Sequence, residues 1–158
     1  MKESNDAIRI RAARSDDLAD LVAFNKAMAI ETEEKELDDA TIRDGVRNVL
    51  ADPGRARYYV AEVDGDVAGQ TMITLEWSDW RNAFFWWIQS VYVKPEHRRR
   101  GVFRALHAFV RSEARRTSGV CGLRLYVYDQ NDRAISIYGR LGMTRTQYLL
   151  FEEEWSAP

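Results

Sequence analysis

Cysteine is almost missing from this chain: Cys121 stands alone, so an internal disulfide is excluded. A lone cysteine suits a reducing compartment, and its place in or beside an expected strand reads as packing rather than catalysis. Histidine is as scarce. His97 and His107 are too few and too badly spaced for a metal site, and no metal is expected. No apolar run approaches the roughly 18 residues of a membrane span, so no membrane partner is expected. Met1 to Asp6 have no apolar segment behind them; no secretory signal is expected, and the cytoplasm is the default location. Neither Gly-x-x-x-x-Gly-Lys-Ser/Thr nor Gly-x-Gly-x-x-Gly occurs, which argues against a nucleotide-binding or phosphotransfer domain. A net charge of −2 argues against a general nucleic-acid binder. Internal repeats, low-complexity tracts and linkers are absent as well.

What is present fits one globular domain over residues 1–158, with 46% apolar and 30% charged residues. A strand is expected at 7–11. A helix capped by Ser15 follows, with Asp16 and Asp17 in its first turn and Leu18, Leu21, Val22 and a polar exception, Asn25, at helical spacing. The acidic stretch 31–39 reads as a loop or helix edge. Ile42, Val46, Val49 and Leu50 mark a second helix, ended near Pro53 and Gly54. Strands are expected at 57–63, 67–76 and 84–93, the first two joined by a tight turn at Asp64-Gly65-Asp66. A helix at 102–116, a strand at 123–128, a helix at 131–141 closed by Gly142 and a last strand at 143–151 complete the order β-α-α-β-β-β-α-β-α-β. Consecutive hairpins followed by a crossover helix imply an α/β fold: a mixed sheet with helices on both faces.

Two segments carry chemistry. In the first, the β-branched run Val91-Tyr92-Val93 stops at Pro95, and His97-Arg98-Arg99-Arg100-Gly101 leads into an amphipathic helix beginning Val102-Phe103-Arg104. Unpaired backbone N–H groups and the positive end of the macrodipole sit at such a helix start. Arginines and a glycine there let the backbone approach a pyrophosphate. The competing reading is an ordinary strand-to-helix turn with solvated arginines. The second segment runs from Asn131 through Ala134 and Tyr138 to Gly142 and Met143. Asn131 is an N-cap candidate, and the plain reading of Tyr138 is an amphipathic core tyrosine.

Together these segments resemble the GCN5-related N-acetyltransferases (GNAT). The loop pattern Arg/Gln-x-x-Gly-x-Gly/Ala stands here as Arg98-Arg99-Arg100-Gly101-Val102-Phe103, with Phe103 replacing the last small residue. Asn131, Ala134, Tyr138 and Gly142 match Asn-x-x-Ala-x-x-x-Tyr-x-x-x-Gly-Phe, with Met143 for Phe. The resemblance implies a mixed, mostly antiparallel sheet of six to seven strands and acetyl-CoA as co-substrate. It implies that the backbone of Val91, Tyr92 and Val93 pairs with the pantetheine arm, and that a bulge splays this strand from the strand at 123–128. Residues Arg98, Arg99, Arg100, Gly101, Val102, Phe103 and Arg104 would cradle the pyrophosphate. Asn131 would contact the cofactor arm, with Tyr138 near its sulfur.

Direct transfer from a thioester to an amine needs a neutral amine, a stabilised oxyanion and a protonated leaving thiolate. A backbone N–H near Val91 could supply the second. Tyr138, with an ordinary pKa near 10, suits the third as general acid. The carboxylate base found in some members is absent, since its position falls near Trp87; Glu76, Asp79, Glu31 and Glu34 are candidates by location. The acidic residues of 31–39 would attract a cationic amine, or form a solvated face. Trp77, Trp80, Phe84, Phe85, Trp86 and Trp87 wall a cleft, pack in the core or meet a second subunit, so a homodimer is allowed. A small-molecule amine acceptor is expected ahead of a protein N-terminus. The rivals are an acyl-CoA sensor or non-catalytic protein of the same fold, the phosphotransfer domain already argued against, and an interaction module supported only by the tryptophans.

Overall fold

The computed structural model describes residues 7–155; the expectation for residues 1–6 lies outside the described residues. Those described divide after Leu125 into two compact units. In the first, five strands lie side by side in chain order: β1 (Ile8–Ala12), β2 (Arg57–Val63), β3 (Asp66–Ser78), β4 (Ala83–Val93) and β5 (Val120–Arg124). The first four pair antiparallel, and β5 runs parallel to β4. A parallel pair needs a long crossover; here it contains α3 (Val102–Arg116). Asp64 and Gly65 both have positive φ, as the two-residue hairpin between β2 and β3 requires.

Helices cover both faces. Val102, Leu106, Val110 and Ala114 recur every fourth residue of α3 and pack on Ala61, Val63, Ile73, Trp86 and Ile88. On the other face, Leu21 and Val22 of α1 (Leu18–Glu33) and Val46 of α2 (Asp39–Ala51) close over Tyr58 and Val60. Each such side chain, fully buried, stabilises the fold by about 1.5–3 kcal/mol. α2 is capped by Asp38, whose carboxylate accepts from the Thr41 N–H at 2.9 Å.

Three expectations need correction. Ser15 does not cap the first helix. Residues Ser15–Asp17 form a 3-10 turn in which Asp17 accepts from the Arg14 N–H at 2.6 Å and pairs with Arg11 at 2.8 and 2.9 Å. The Asp17 carboxylate, held in place by Arg11 of β1, closes this turn from its far end. The strand expected at 123–128 is β5, at Val120–Arg124. The strand expected at 143–151 does not form, so the described sheet has five strands rather than six or seven. β-Propensity makes a strand only where a neighbouring strand supplies hydrogen-bond partners, and Tyr148, Leu149, Leu150 and Phe151 are exposed.

In the second unit, α4 (Asp132–Arg140) is capped by Asn131, which accepts from the Ala134 N–H at 3.0 Å. Its end is the expected glycine closure: Gly142 has φ 85°, its N–H bonds the Gly139 carbonyl, and the Met143 N–H bonds that of Tyr138.

Candidate active site

Only the first half of β4 is paired on both sides. Its contact with β5 runs from Phe84↔Val120 to Trp87↔Arg124, whereas its contact with β3 continues to Gly69↔Val93. From Ile88 to Val93 the outer side of β4 has left β5. A bulge marks the departure: the β3 register shifts between Gln70 and Met72, and opposite it Ser90 takes the left-handed conformation, φ 51°. The carbonyls on both sides of the bulge are claimed by β3 side chains. Thr71 Oγ1 donates to the Gln89 carbonyl at 3.2 Å, and Gln70 Nε2 to the Ser90 carbonyl at 3.1 Å. Every peptide bond is trans, so the N–H across each peptide points opposite to its carbonyl. The Ser90 and Val91 N–H groups therefore point away from the β3 side chains that hold those carbonyls.

Below the bulge, β3 and β4 approach so closely that a Cβ on Gly69 would stand 2.7 Å from the Tyr92 carbonyl. Tyr92 is buried and its ring lies 5.2 Å from that of Phe24. Burial pushes its phenol above the ordinary value, and the Glu31 charge adds to that. The Val93 carbonyl accepts from Arg98 Nε at 2.9 Å.

The loop that follows is shaped by a 3-10 turn at Pro95–His97 and two left-handed residues, Arg99 (φ 64°) and Gly101 (φ 84°). Gly101 is the N-cap of α3. No side chain caps that terminus, and its first turn contains no acidic residue, so its leading N–H groups are open to an anion. Arg98 is not a loose arm: its Nη2 meets both oxygens of Glu31. Arg99, Arg100 and Arg104 are exposed, Val102 is buried under the sheet, and the half-buried Phe103 ring faces that of His107.

Three of the carboxylates read as base candidates, Glu31, Glu76 and Asp79, have partners too. Glu76 accepts from the Trp87 indole N–H on one oxygen and from Arg124 on the other. The Arg124 guanidinium also lies 3.7 Å over the Phe85 ring. Asp79 accepts from the Trp80 N–H within its own turn. Glu34 ends α1 in the left-handed conformation. Of the acidic stretch, Asp38 is a helix cap and Asp39 pairs with Lys26, while Glu33, Glu34 and Glu36 are exposed. The aromatic run splits three ways. Trp86 is core, Trp77 and Phe84 pack edge to face at 4.8 Å, and Trp80 is 87% exposed. Cys121 is exposed and donates to the Phe84 carbonyl.

In the second unit, Asn131 Oδ1 serves as the α4 cap, and Tyr138 is half-buried with its phenol raised by burial. Among the described residues, no cluster of three or more His, Cys, Asp or Glu side chains could hold a metal ion, and no helix is long and apolar enough to cross a membrane.

The model of the acetyltransferase (GNAT) family matches residues 18–143. The chain belongs to the GNAT acetyltransferases. A possible acetyltransferase from Clostridium difficile 630 is 42% identical, with 95% of this chain and 99% of that one superimposed at a TM-score of 0.89. A predicted acetyltransferase from Clostridium acetobutylicum, solved with acetyl-CoA, is 18% identical (93% and 96% covered, TM-score 0.75). An aminoglycoside N-acetyltransferase in complex with CoA is 16% identical (98% and 99% covered, TM-score 0.78). These two share the fold. No curated protein matches by sequence. GNAT membership makes acetyl-CoA-dependent acyl transfer the supported chemistry, with acetyl-CoA as co-substrate.

Sequence reasoning reached the loop, Gly101 and the α4 caps. It missed Gln70, Thr71, Tyr58 and Ser90, which hold the bulge. One signal was present, the polar Asn25 on an otherwise apolar helix face: it is 4% exposed and donates to the Leu21 carbonyl at 2.9 Å and to the Tyr58 hydroxyl at 3.2 Å.

Proposed function

We propose that this GNAT chain is a single-domain N-acetyltransferase that moves the acetyl group of acetyl-CoA directly to a primary amine of a small molecule. The observation that carries the reading is the bulge at Ser90, on the stretch of β4 that β3 pairs and β5 does not. A thioester carbonyl placed there in this reading takes the Ser90 and Val91 N–H groups as donors when its oxygen becomes an oxyanion. One such donor is worth about 2.7–4 kcal/mol of transition-state stabilisation. The backbone of Val91, Tyr92 and Val93 offers a strand edge to the pantetheine arm. The turn from Arg98 to Arg104, opening on the uncapped α3, takes the diphosphate. Asn131 contacts the arm.

Tyr138 is the general acid to the departing thiolate in this reading. Burial holds its phenol protonated above the ordinary value, so it is in the donor form throughout the neutral range. Glu76 has both oxygens engaged, and we assign it to orienting the acceptor amine over the Phe85, Trp87 and Arg124 surface rather than to free proton abstraction. A small amine is favoured by that compact aromatic and charged floor, and an aminoglycoside acetyltransferase shares the fold.

The test is thiol release from acetyl-CoA with a panel of amines: amino acids, polyamines, aminoglycosides and an N-terminal peptide. Acceptor-dependent release with a small amine is expected. Acetyl-CoA binding without release by any amine would overturn catalysis in favour of a sensor, and release with the peptide alone would overturn the small-molecule acceptor. ATP bound in preference to CoA in calorimetry would overturn the cofactor assignment.

A further inference from the structure

Residue 90 is where three other elements converge. Five non-glycine residues among those described have positive φ, and Ser90 alone of them lies inside a strand. A side chain in that conformation persists only where its surroundings over-determine it. Gln70 of β3 is completely buried and gives its Nε2 to the Ser90 carbonyl. The amide must present its nitrogen there, because two oxygens would repel. Tyr58 of β2 is 6% exposed, and its hydroxyl meets the Ser90 side chain while accepting from Asn25 of α1. Apolar side chains of the same size would fill this layer without desolvating an amide and a phenol. The polar groups are therefore explained by what they hold.

We propose that Gln70 and Tyr58 are positioning residues for acetyl transfer: through the carbonyl and hydroxyl of Ser90 they fix the two peptide planes that aim the Ser90 and Val91 N–H groups at the thioester. Neither side chain is required to touch the substrate. The inference rests on the proposed function and extends it to residues outside the family's motifs. It assigns separate tasks to two surfaces: the loop and α3 hold the carrier, while the α1, β2 and β3 side chains set the polarisation of its acyl group.

The probe is acetyl-CoA carrying carbon-13 at the thioester carbonyl. Donors on the oxygen move this signal downfield on binding. Gln70→Met and Tyr58→Phe are each expected to lose at least half of the displacement seen with the wild type, with CoA affinity by calorimetry within about threefold. Val110→Ala, a core truncation more than two turns beyond the start of α3 and on the sheet face opposite Tyr58, serves as the destabilised control and is expected to keep the full displacement. If Gln70→Met fails to fold, Tyr58→Phe decides. Full displacement in every folded variant would overturn the positioning role and leave the proposed function standing. A wild type that does not bind acetyl-CoA would overturn both.

Discussion

Glu31, near the end of α1, receives Arg98 Nη2 on both carboxylate oxygens, at 3.0 and 2.7 Å, across 67 positions of chain. The same guanidinium holds the Val93 carbonyl and lies over the Tyr92 ring. One ion pair thus ties the first helix to the end of β4 and the start of the loop before α3. Both partners are about 40% exposed, so the pair contributes little to global stability, about 0.2–1 kcal/mol. Glu31→Gln is expected to leave the melting temperature nearly unchanged while weakening CoA binding severalfold, because the loop loses its anchor. Calorimetry at low and high salt checks this, and the difference between variant and wild type should shrink as salt screens the pair.

Gly101 and Gly45 should respond oppositely to the same change. Gly101 has φ 84°, a conformation costing an L-residue about 1–2 kcal/mol. Gly101→Ala should lower stability by that order and reduce CoA affinity by crowding the helix start. Gly45 lies inside α2 with nothing within 4 Å of an added Cβ. Gly45→Ala should stabilise by about 0.5–1 kcal/mol. Denaturant midpoints of the two variants decide the matter.

Tyr138→Phe tests the general acid. The expected result is an intact fold, acetyl-CoA affinity within about threefold, and turnover lowered by roughly 10²–10⁴-fold. With the wild type, the rate should hold through neutral pH and fall only where the raised phenol deprotonates. Unchanged turnover in the variant would remove Tyr138 from the role.

For Glu76→Gln the expected outcome is a higher acceptor KM with kcat within about threefold, since an orienting group acts on binding. A general base would instead show a kcat loss of roughly 10²-fold or more. Steady-state kinetics with the amine found in the panel separate the two.

Asp17 gives a pH signature. Burial alone would raise its carboxyl, but the hydrogen bonds from Arg11 and the Arg14 N–H, with the guanidinium charge, bring it below the ordinary value. A depressed folded value means stability that is full above the ordinary carboxylate pKa, about 3.9, and lost as pH falls through the depressed one. Asp17→Asn should cost about 3 kcal/mol at neutral pH, the lower end for breaking a buried pair, because Arg11 keeps Glu62 at 2.6 Å. The stability difference from wild type should narrow toward acid pH in denaturant titrations.

Where information is local, the chain could be read directly. The apolar spacing of Val102, Leu106 and Val110, the turn at Asp64-Gly65, the cap at Asn131 and the closure at Gly142 each depend on neighbours within a few residues. Hydrophobic period and backbone freedom determine them before any tertiary contact forms. The loop from Arg98 to Gly101 belongs to the same class. The bulge at Ser90 does not: its supports come from Gln70, 20 residues away, and from a Tyr58 that itself leans on Asn25, 33 residues away. Nor could the segment 143–151 show whether a strand would find a partner, or the carboxylates of Glu31, Glu76 and Asp17 which arginine would claim them. Sequence determined the apolar face of α3, the β2–β3 turn, both ends of α4 and the glycine loop before α3, because those are short-range consequences of side-chain type. Only the tertiary structure decided how far β5 pairs along β4 and which polar groups converge on the bulge, because hydrogen bonds between distant strands are satisfied by geometry that no single segment contains.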